Sequence, residues 1–199
     1  FAHANGIPVT PRGGGSSLAG QSLGPGIVLD FSAHMNRVLA VDPERRVARV
    51  EPGAIHGRVQ KAARSHGLRF GPDPSSGDFC TIGGKVGTNA SGAHTLRHGA
   101  TKDHVLGLTV VLYDGAIVTL GEHGGAGGEA RRDGGATWRR VGAEVEAALR
   151  EGAPAFLGEA TLANKNSCGY DLWGAWRPGD PVSSIQPRFD PVRLIVGSE

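Results

Sequence analysis

The chain has 199 residues, of which 39% are hydrophobic, enough for one or two domains with a buried core. Its 21 basic and 19 acidic residues nearly balance at a net charge of +2. They form no basic block with interleaved aromatic residues, so nucleic acid is not an expected partner. No apolar run approaches the ~18 residues of a membrane span, so no transmembrane segment is predicted.

Glycine is the compositional outlier. It accounts for 33 of the 199 residues, roughly 17% against a usual ~7%. The glycines follow no period of three, which excludes a collagen-like chain, and they cluster between apolar runs. Phe1 stands where a start methionine is absent, residues 1–6 are typical of the tail of a helix, and residues 191–196 predict a strand. These features predict a domain that is truncated at both ends.

The first glycine-rich motif follows a short strand predicted at residues 8–11. Glycines with access to φ > 0 can turn successive backbone amides toward one point, and hydroxyls and a guanidinium add further donors for an anion. The pyrophosphate of a dinucleotide fits this loop best. Leu18 breaks the Rossmann pattern, and the surroundings of Lys85 break the Walker A pattern. The residues of the motif are Arg12, Gly13, Gly14, Gly15, Ser16 and Ser17.

The next elements are a short buried strand at 26–31, an alternating strand at 47–51, and a helix that starts at Ala54 and ends at Gly67. A second glycine-rich run then occupies residues 72–92. Its small apolar content argues against core packing, and such a loop suits close approach of the backbone to a large planar ligand.

Further along the chain, residues 106–112 predict a buried strand, and residues 108–112 and 116–120 predict a hairpin that turns at Asp114-Gly115. Residues 121–136 predict a mobile glycine-rich surface loop. An amphipathic helix marked by Trp138 and Leu149 should then close at Gly152. Residues 173–191 predict an irregular segment. Short strands and helices without regular β-α-β spacing favour the α+β class.

Four motifs at residues 11–20, 81–92, 166–172 and 196–199 appear in this order in FAD-linked oxidases. In these motifs the chain resembles the flavin-binding domain of the vanillyl-alcohol-oxidase/PCMH type. The branch it resembles contains the flavin-binding subunit of glycolate oxidase and the D-lactate and D-2-hydroxyglutarate dehydrogenases. Cys80 and an insertion after residue 172 are similar to members fused to an iron–sulfur module.

This resemblance implies non-covalent FAD held between two small α/β subdomains that together span residues 1–199, with the substrate domain outside the chain. Ser16 stands where covalent members carry a histidine. The first motif would hold the pyrophosphate, and the second would line the flavin, the ribityl chain and the dinucleotide. The end of the chain would approach the adenine half. The residues implied beyond the first motif are Pro74, Ser75, Ser76, Thr81, Gly83, Gly84, Thr88, Asn89, Ser91, Gly92, Gly197 and Glu199.

Several polar residues near these motifs are candidates for chemistry. His94 and His98 have the spacing of two metal ligands on a helix, but no third ligand accompanies them, so no metal is predicted. A loop position beside the flavin, where Arg97 could stabilise the reduced anion, fits them better. Around Tyr170, Lys165 and Asn166 form a polar cluster that the family places near the active site. A packing and turn-capping role fits that cluster equally well.

No catalytic residue can be named from the sequence. Asp73 and Asp78 could form a carboxylate pair of the kind that glycosidases use, but nothing else in the sequence indicates a groove for a sugar substrate. Cys80 and Cys168, with no C-x-x-C spacing, predict neither a disulfide framework nor a metal site, and a reducing, cytoplasmic location is expected, with peripheral membrane attachment left open.

The predicted function is FAD-dependent oxidation of a small 2-hydroxy acid. Electrons would pass to an iron–sulfur module, a quinone or a carrier protein. Two alternatives stay open: a non-catalytic nucleotide- or anion-binding module, and the flavin domain of a sugar or alditol oxidase.

Overall fold

The computed structural model describes residues 1–121, 135–157, 169–177 and 188–198. Contacts divide the chain into two compact units, Phe1–His104 and Val105–Ser198. Both units combine helices with two-stranded sheets, as the predicted α+β class requires.

The first unit begins with two pairs of strands. β1 and β2 pair in parallel, from Val9 opposite Ile27 to Arg12 opposite Asp30. β3 and β4 pair antiparallel, with a register shift between Val38 and Ala40. The elements are a 3₁₀ turn His3–Asn5, β1 Val9–Arg12, β2 Ile27–Asp30, α1 Phe31–His34, β3 Val38–Asp42, β4 Val47–Val50, α2 His56–Arg64, α3 Ile82–Gly87, α4 Thr95–His98 and a 3₁₀ turn Thr101–Asp103.

The strand predicted at residues 26–31 is present but is not buried, which corrects the prediction. Val28 and Leu29 of β2 keep 43% and 46% of their surface exposed. Sequence hydrophobicity marks the strand correctly, whereas burial depends on how many layers cover it, and β2 has one hydrogen-bonded neighbour among the described strands.

The predicted helix at 54–67 forms, but it begins at His56. Ile55, just before it, is extended and bridges to Thr81, so the chain enters the helix from a short antiparallel contact. Gly67 adopts φ +69 just beyond the helix, as expected for a C-terminal glycine.

The second glycine-rich run differs most from its prediction as a loop without core packing. It contains α3, and three of its polar residues, Thr81, Lys85 and Asn89, are 3% exposed or less. These polar side chains occupy interior positions that apolar side chains usually fill. Their burial is possible because each has a hydrogen-bond partner inside the unit.

The second unit opens with the predicted hairpin, in which β5 Gly107–Val111 and β6 Ile117–Gly121 pair antiparallel. Asp114 accepts a hydrogen bond from the Ala116 amide within the turn. The buried side chains belong to β6, where Val118 and Leu120 are fully buried, and not to β5 as expected. The remaining elements are α5 Gly135–Leu157, α6 Leu172–Ala175, β7 Trp176–Arg177, β8 Arg188–Phe189 and α7 Pro191–Ile195.

Two predictions in this unit are wrong. The helix does not close at Gly152: α5 continues through Pro154 to Leu157, and Gly152 is not among the glycines with positive φ that end a helix. The strand predicted at 191–196 is α7. Asp190 caps it by accepting hydrogen bonds from the Val192 and Arg193 amides, and Pro191 occupies its first turn.

An apolar cluster of Leu149, Ala153, Ala175 and Trp176 forms the core beside α5. The segment predicted as irregular contributes α6, β7 and β8 where it is described, and the rest of it lies outside the described residues. Of the loop predicted at 121–136, Gly121 belongs to β6 and residues 135–136 belong to α5, which corrects its bounds, and residues 122–134 lie outside the described residues. Within the described ranges, no helix has the length and apolar character to cross a membrane.

Candidate functional site

The two glycine-rich motifs contact each other directly in the first unit. A Cβ added at Gly13 would overlap the Thr81 hydroxyl, and one at Gly14 would lie 2.7 Å from the Phe79 carbonyl oxygen. Gly13 and Gly14 therefore allow the first motif to pack against the residues that lead into α3. Sequence separation hides this contact, which links segments more than 60 positions apart.

The backbone amides of residues 13–17 are the candidate anion donors of the first motif. Among the hydrogen bonds within the described part of the chain, none uses these amides as donors. The Arg12 side chain lies over the same turn, so that a Cβ at Gly15 would approach Arg12 Nη2 to 2.6 Å. Amides without a bonding partner beside a guanidinium can bind a phosphate-like anion, and residues 12–17 are called the proposed cradle below.

Both serines of the motif lie on this loop. Ser16 is exposed, and the Ser17 hydroxyl donates a hydrogen bond to the Gln21 side-chain oxygen at 2.5 Å. Gly15 is the position of the glycine triplet with positive φ, +63, which turns the chain at the end of the cradle. The predicted first-motif residues are thus brought together on one loop.

Hydrogen bonds hold the second motif against the start of α2. The Gly83 amide donates to the Pro52 carbonyl at 2.7 Å, and Thr81 caps α3 by accepting from the Gly84 amide at 3.2 Å. Pro74, Ser75 and Ser76 form a turn in which the Pro74 carbonyl accepts from the Gly77 amide. The Gly57 amide of α2 donates to the Gly77 carbonyl at 3.0 Å, next to the turn at 74–76, so residues 52–57 hold both parts of the second motif.

The residues that follow α3 divide into two groups. Asn89 is buried with φ +47, and its side-chain oxygen accepts from the Lys102 amide at 2.9 Å, so its side chain supports the fold. Thr88 is exposed and Ser91 is partly exposed. Gly92 backs directly onto the Asp73 backbone, which allows no side chain there.

One of the two remaining predicted site residues belongs to the second unit. Gly197 is buried in the turn after α7 of the second unit. Glu199, Lys165, Asn166 and Cys168 lie outside the described residues.

His94 precedes α4, which replaces the loop expected around it. Its ring Nδ1 and its backbone amide both bond to the Asp73 carboxylate, while Arg69 approaches the same carboxylate at 3.4 Å. The hydrogen bonds from His94 are the main cause of a lowered pKa at Asp73. Arg97 is exposed on α4. Among the described residues, no cluster of three or more histidine, cysteine or acidic side chains has a metal-binding arrangement.

A buried Lys85 is the residue that sequence reasoning missed. Its side chain is 1% exposed, and its Nζ lies 2.9 Å from His56 Nδ1 and 3.2 Å from the Pro72 carbonyl oxygen. The Phe70 ring lies 4.4 Å from Nζ. Burial lowers the pKa of Lys85 to about 8, and burial followed by the Lys85 charge lowers the pKa of His56 to about 4.

A signal for this cluster existed in the sequence. His56 and Gln60 stand four residues apart beside the apolar face of α2, a spacing that places both on one side of the helix. Lys85 itself gives no such signal, because a single lysine among glycines is ordinarily exposed to solvent.

In the second unit, Tyr170 is exposed at the edge of an apolar groove of about 390 Å³ between α5, α6 and α7. These contacts show neither of the two environments predicted for Tyr170, which are a position near the active site and packing within a loop. The groove is lined by Val145, Ala148, Leu149, Gly152, Tyr170, Leu172 and Leu194.

Comparison with known proteins shows the family of the chain. The model of the FAD binding domain family matches residues 1–121, the part of the chain that carries both glycine-rich motifs. The chain belongs to the FAD binding domain family.

Two relatives illustrate the match. D-2-hydroxyglutarate dehydrogenase of Pantoea ananatis (strain AJ13355) is 36% identical over 190 residues, which cover 96% of this chain and 18% of the relative. Glycolate oxidase subunit GlcD of Bacillus subtilis (strain 168) is 43% identical over 117 residues, covering 58% of this chain and 25% of the relative. The chain thus spans about a fifth to a quarter of the length of these proteins.

Solved structures support the fold. An alkyldihydroxyacetonephosphate synthase matches with a TM-score of 0.53 and 29% identity, over 63% of this chain and 25% of that one. The 6-hydroxy-D-nicotine oxidase of Arthrobacter nicotinovorans matches with a TM-score of 0.54 and 26% identity, over 60% of this chain and 26% of that one. The predicted family, the PCMH-type fold and FAD as cofactor are confirmed.

Proposed function

We propose that this chain is the FAD-binding domain of a flavoenzyme that oxidises a small 2-hydroxy acid, and that residues 1–199 act together as that domain. The contact between the two glycine-rich motifs carries the proposal, because it brings the loop of residues 13–17 next to Phe79 and Thr81, at the start of α3.

The residues of the cradle fit the cofactor. Amides 13–17 and the Arg12 guanidinium match the negative charges of a pyrophosphate. The bound FAD supplies a two-electron acceptor for the substrate. In this proposal the backbone at 74–76, 83–84 and 88–92 approaches the rest of the cofactor, and Gly197 and Glu199 approach its adenine half.

We propose that the FAD is held without a covalent bond, since Ser16 provides no imidazole at the position where the resembled covalent members carry histidine. A released flavin is the expected result when the purified protein is denatured by heat or acid. Flavin that stays with the precipitated protein would contradict this part of the proposal.

The substrate class rests on the relatives, which are named as dehydrogenases or oxidases of 2-hydroxyglutarate, glycolate and lactate. In this proposal another part of the whole protein supplies the base for the hydroxyl proton, and an iron–sulfur module, a quinone or a carrier protein takes the electrons. A cytoplasmic location also stays a prediction. Arg97, exposed on α4, keeps its proposed role beside the flavin.

Absorbance of the intact protein tests the function. Anaerobic addition of D-2-hydroxyglutarate, glycolate or D-lactate should bleach the visible absorption band of the bound flavin. Bleaching by an alditol and by none of the acids would favour the sugar or alditol oxidase. A protein that binds no flavin, even after incubation with FAD, would favour the simple anion-binding module.

The proposed cradle has its own test in Gly14→Val, with Gly57→Ala as the matched control. The added side chain at position 14 meets the Phe79 carbonyl, whereas a Cβ at Gly57 lies 3.4 Å from its nearest neighbour, the Asp78 side chain. We expect at least a tenfold loss of FAD affinity in the first variant and wild-type affinity in the second. Equal affinities in the two variants would remove the first motif from the site.

A further inference from the structure

Lys85 joins three segments of the first unit at one amine. Its Nζ contacts His56 of α2 and the carbonyl of Pro72, and Lys85 itself belongs to α3. Pro72 directly precedes the turn at 74–76, and α3 begins beside Thr81, which contacts Gly13. The segments that meet at Lys85 are therefore the ones that hold the proposed cradle.

The amine is unusual because none of its direct partners is a carboxylate. As an ammonium it has three N–H donors, and it has three acceptors: His56 Nδ1, the Pro72 carbonyl and the face of the Phe70 ring. A neutral His56 must then carry its proton on Nε2, which lies 3.3 Å from the Gln60 amide nitrogen.

The orientation of Gln60 is fixed by backbone partners. Its nitrogen donates to the Phe70 carbonyl at 2.7 Å, and its oxygen accepts from the Phe70 amide at 3.1 Å. With an ammonium at Lys85, two donors therefore face each other between Gln60 and His56. If Lys85 loses its proton, His56 can carry its proton on Nδ1 and donate to the amine, and Gln60 can donate to His56 Nε2.

The His56 tautomer thus changes with the protonation state of Lys85, and only the charged form of Lys85 leaves two donors facing each other between His56 and Gln60. The charged form donates the stronger hydrogen bond to the Pro72 carbonyl. It also places a positive charge inside the unit that holds the proposed cradle for an anionic cofactor.

The other titratable groups around the amine are few. Asp73, from the segment after Phe70, and Cys80, which precedes α3, favour its charged form. His56 of α2 faces it directly, with the charges of Asp73, Asp78 and Arg69 acting on that histidine in turn. His104 meets the edge of the Phe70 ring at 5.6 Å between centroids.

We propose that Lys85 is a positioning residue of the FAD cradle, which in its charged form ties Pro72 and the following turn to α2 and α3 and makes FAD affinity depend on pH. This inference rests on the proposed cradle. The expected direction is a loss of affinity as the amine is deprotonated.

The experiment measures FAD dissociation constants of the intact apoprotein from pH 6.5 to 9.5, for wild type, Lys85→Met and the control Lys61→Met. Lys61 is exposed on α2, so its loss removes the same charge without touching the network. Wild type and Lys61→Met should lose affinity about fivefold over this range, and Lys85→Met should bind at least about tenfold more weakly at pH 6.5 with a flat profile. Superimposed profiles of wild type and Lys85→Met would overturn the proposal.

Hydrogen exchange separates this inference from the cradle itself, because it needs no FAD. At one fixed pH, Lys85→Met and the polar variant Lys85→Gln should both exchange faster than wild type in residues 71–80, while Lys61→Met should not. Faster exchange together with normal FAD binding by Gly14→Val would keep the Lys85 contact but refute the cradle. Unchanged exchange would refute the role of Lys85 while leaving the cradle to its own test.

Discussion

The interiors of the two units are built from different chemistry. Among the described residues, the largest fully buried side chains of the first unit are Lys85, Thr81, Thr101 and Pro72, whereas those of the second unit are Leu120, Val118 and Val196. The first interior is therefore largely polar, and the second is apolar.

This difference changes what holds each unit together. Apolar burial is non-directional and tolerates substitutions of similar volume. A buried polar network depends on each donor meeting its acceptor, and a single missing partner leaves a costly unpaired group. We therefore expect the first unit to tolerate fewer substitutions than the second and to fix the geometry of its loops more closely. Such loops suit a unit that is proposed to hold a cofactor with its backbone.

Truncation of the apolar core should give the largest effect. Trp176 is 3% exposed and packs with Leu149, Ala153 and Ala175. We expect Trp176→Ala to lower the free energy of unfolding of the second unit by about 3–5 kcal/mol. Urea unfolding checks this against Val111→Ala, whose side chain is 69% exposed and whose loss should cost within about 0.5 kcal/mol. Equal costs would mean that the apolar core is not what stabilises this unit.

The polar interior should instead respond to pH. Lys85 has a pKa of about 8 in the folded chain against an ordinary value of 10.5. Between these values the unfolded chain holds a proton that the folded chain has released, so stability rises with pH in this window. The full rise attributable to Lys85 is about 3 kcal/mol.

In Lys85→Met this contribution should be absent, and in Lys61→Met it should be retained. Urea unfolding at pH 7.5 and at pH 10, compared between the variants, measures the difference and cancels the titration of other groups. A wild-type protein that loses stability relative to Lys85→Met over this window would reverse the sign and refute a depressed Lys85 pKa.

How far the sequence predicts each region follows from the same contrast. The hairpin of β5 and β6 and the helix at α2 could be predicted because alternation, helical spacing and the Asp114-Gly115 turn are local signals. The ordered glycine-rich motifs could be assigned to FAD because their residues and their order resemble those of FAD-linked oxidases, whereas the residue types alone indicate only an anion-binding loop. The contact between Gly14 and Phe79 could not be predicted, since it depends on tertiary packing.

The Lys85 cluster escaped prediction for a related reason. Lysine is ordinarily exposed, and its burial depends on acceptors supplied by Pro72 and His56, far apart in the sequence. The sequence before α7 does carry a local helix signal, because Asp190-Pro191 is typical of a helix start. The β-branched residues that follow favour a strand, and the strand prediction at 191–196 rests on them.

Overpacking of the loop contact should give an intermediate effect. A Cβ at Gly14 would meet the Phe79 carbonyl, a backbone atom that cannot rotate away. We expect Gly14→Ala to destabilise the first unit by about 1–3 kcal/mol, measured by urea unfolding. Gly57→Ala, within α2, should be neutral or stabilising by up to about 1 kcal/mol. If Gly14→Ala is as stable as Gly57→Ala, the two motifs do not pack as closely as described.

The smallest effect should come from the helix cap of α7, which lies in the apolar unit but depends on directional bonds. Asp190 Oδ1 accepts from the Val192 amide at 3.1 Å and from the Arg193 amide at 3.2 Å. Asp190→Ala leaves both amides without this acceptor and should cost about 1 kcal/mol. Asp190→Asn keeps an acceptor oxygen and should cost a few tenths at most, so urea unfolding of the pair isolates the cap from the rest of the side chain. Equal losses in both variants would assign the effect to the carboxylate charge, and no loss in either would show that apolar packing alone keeps residues 191–195 helical against their strand-forming composition.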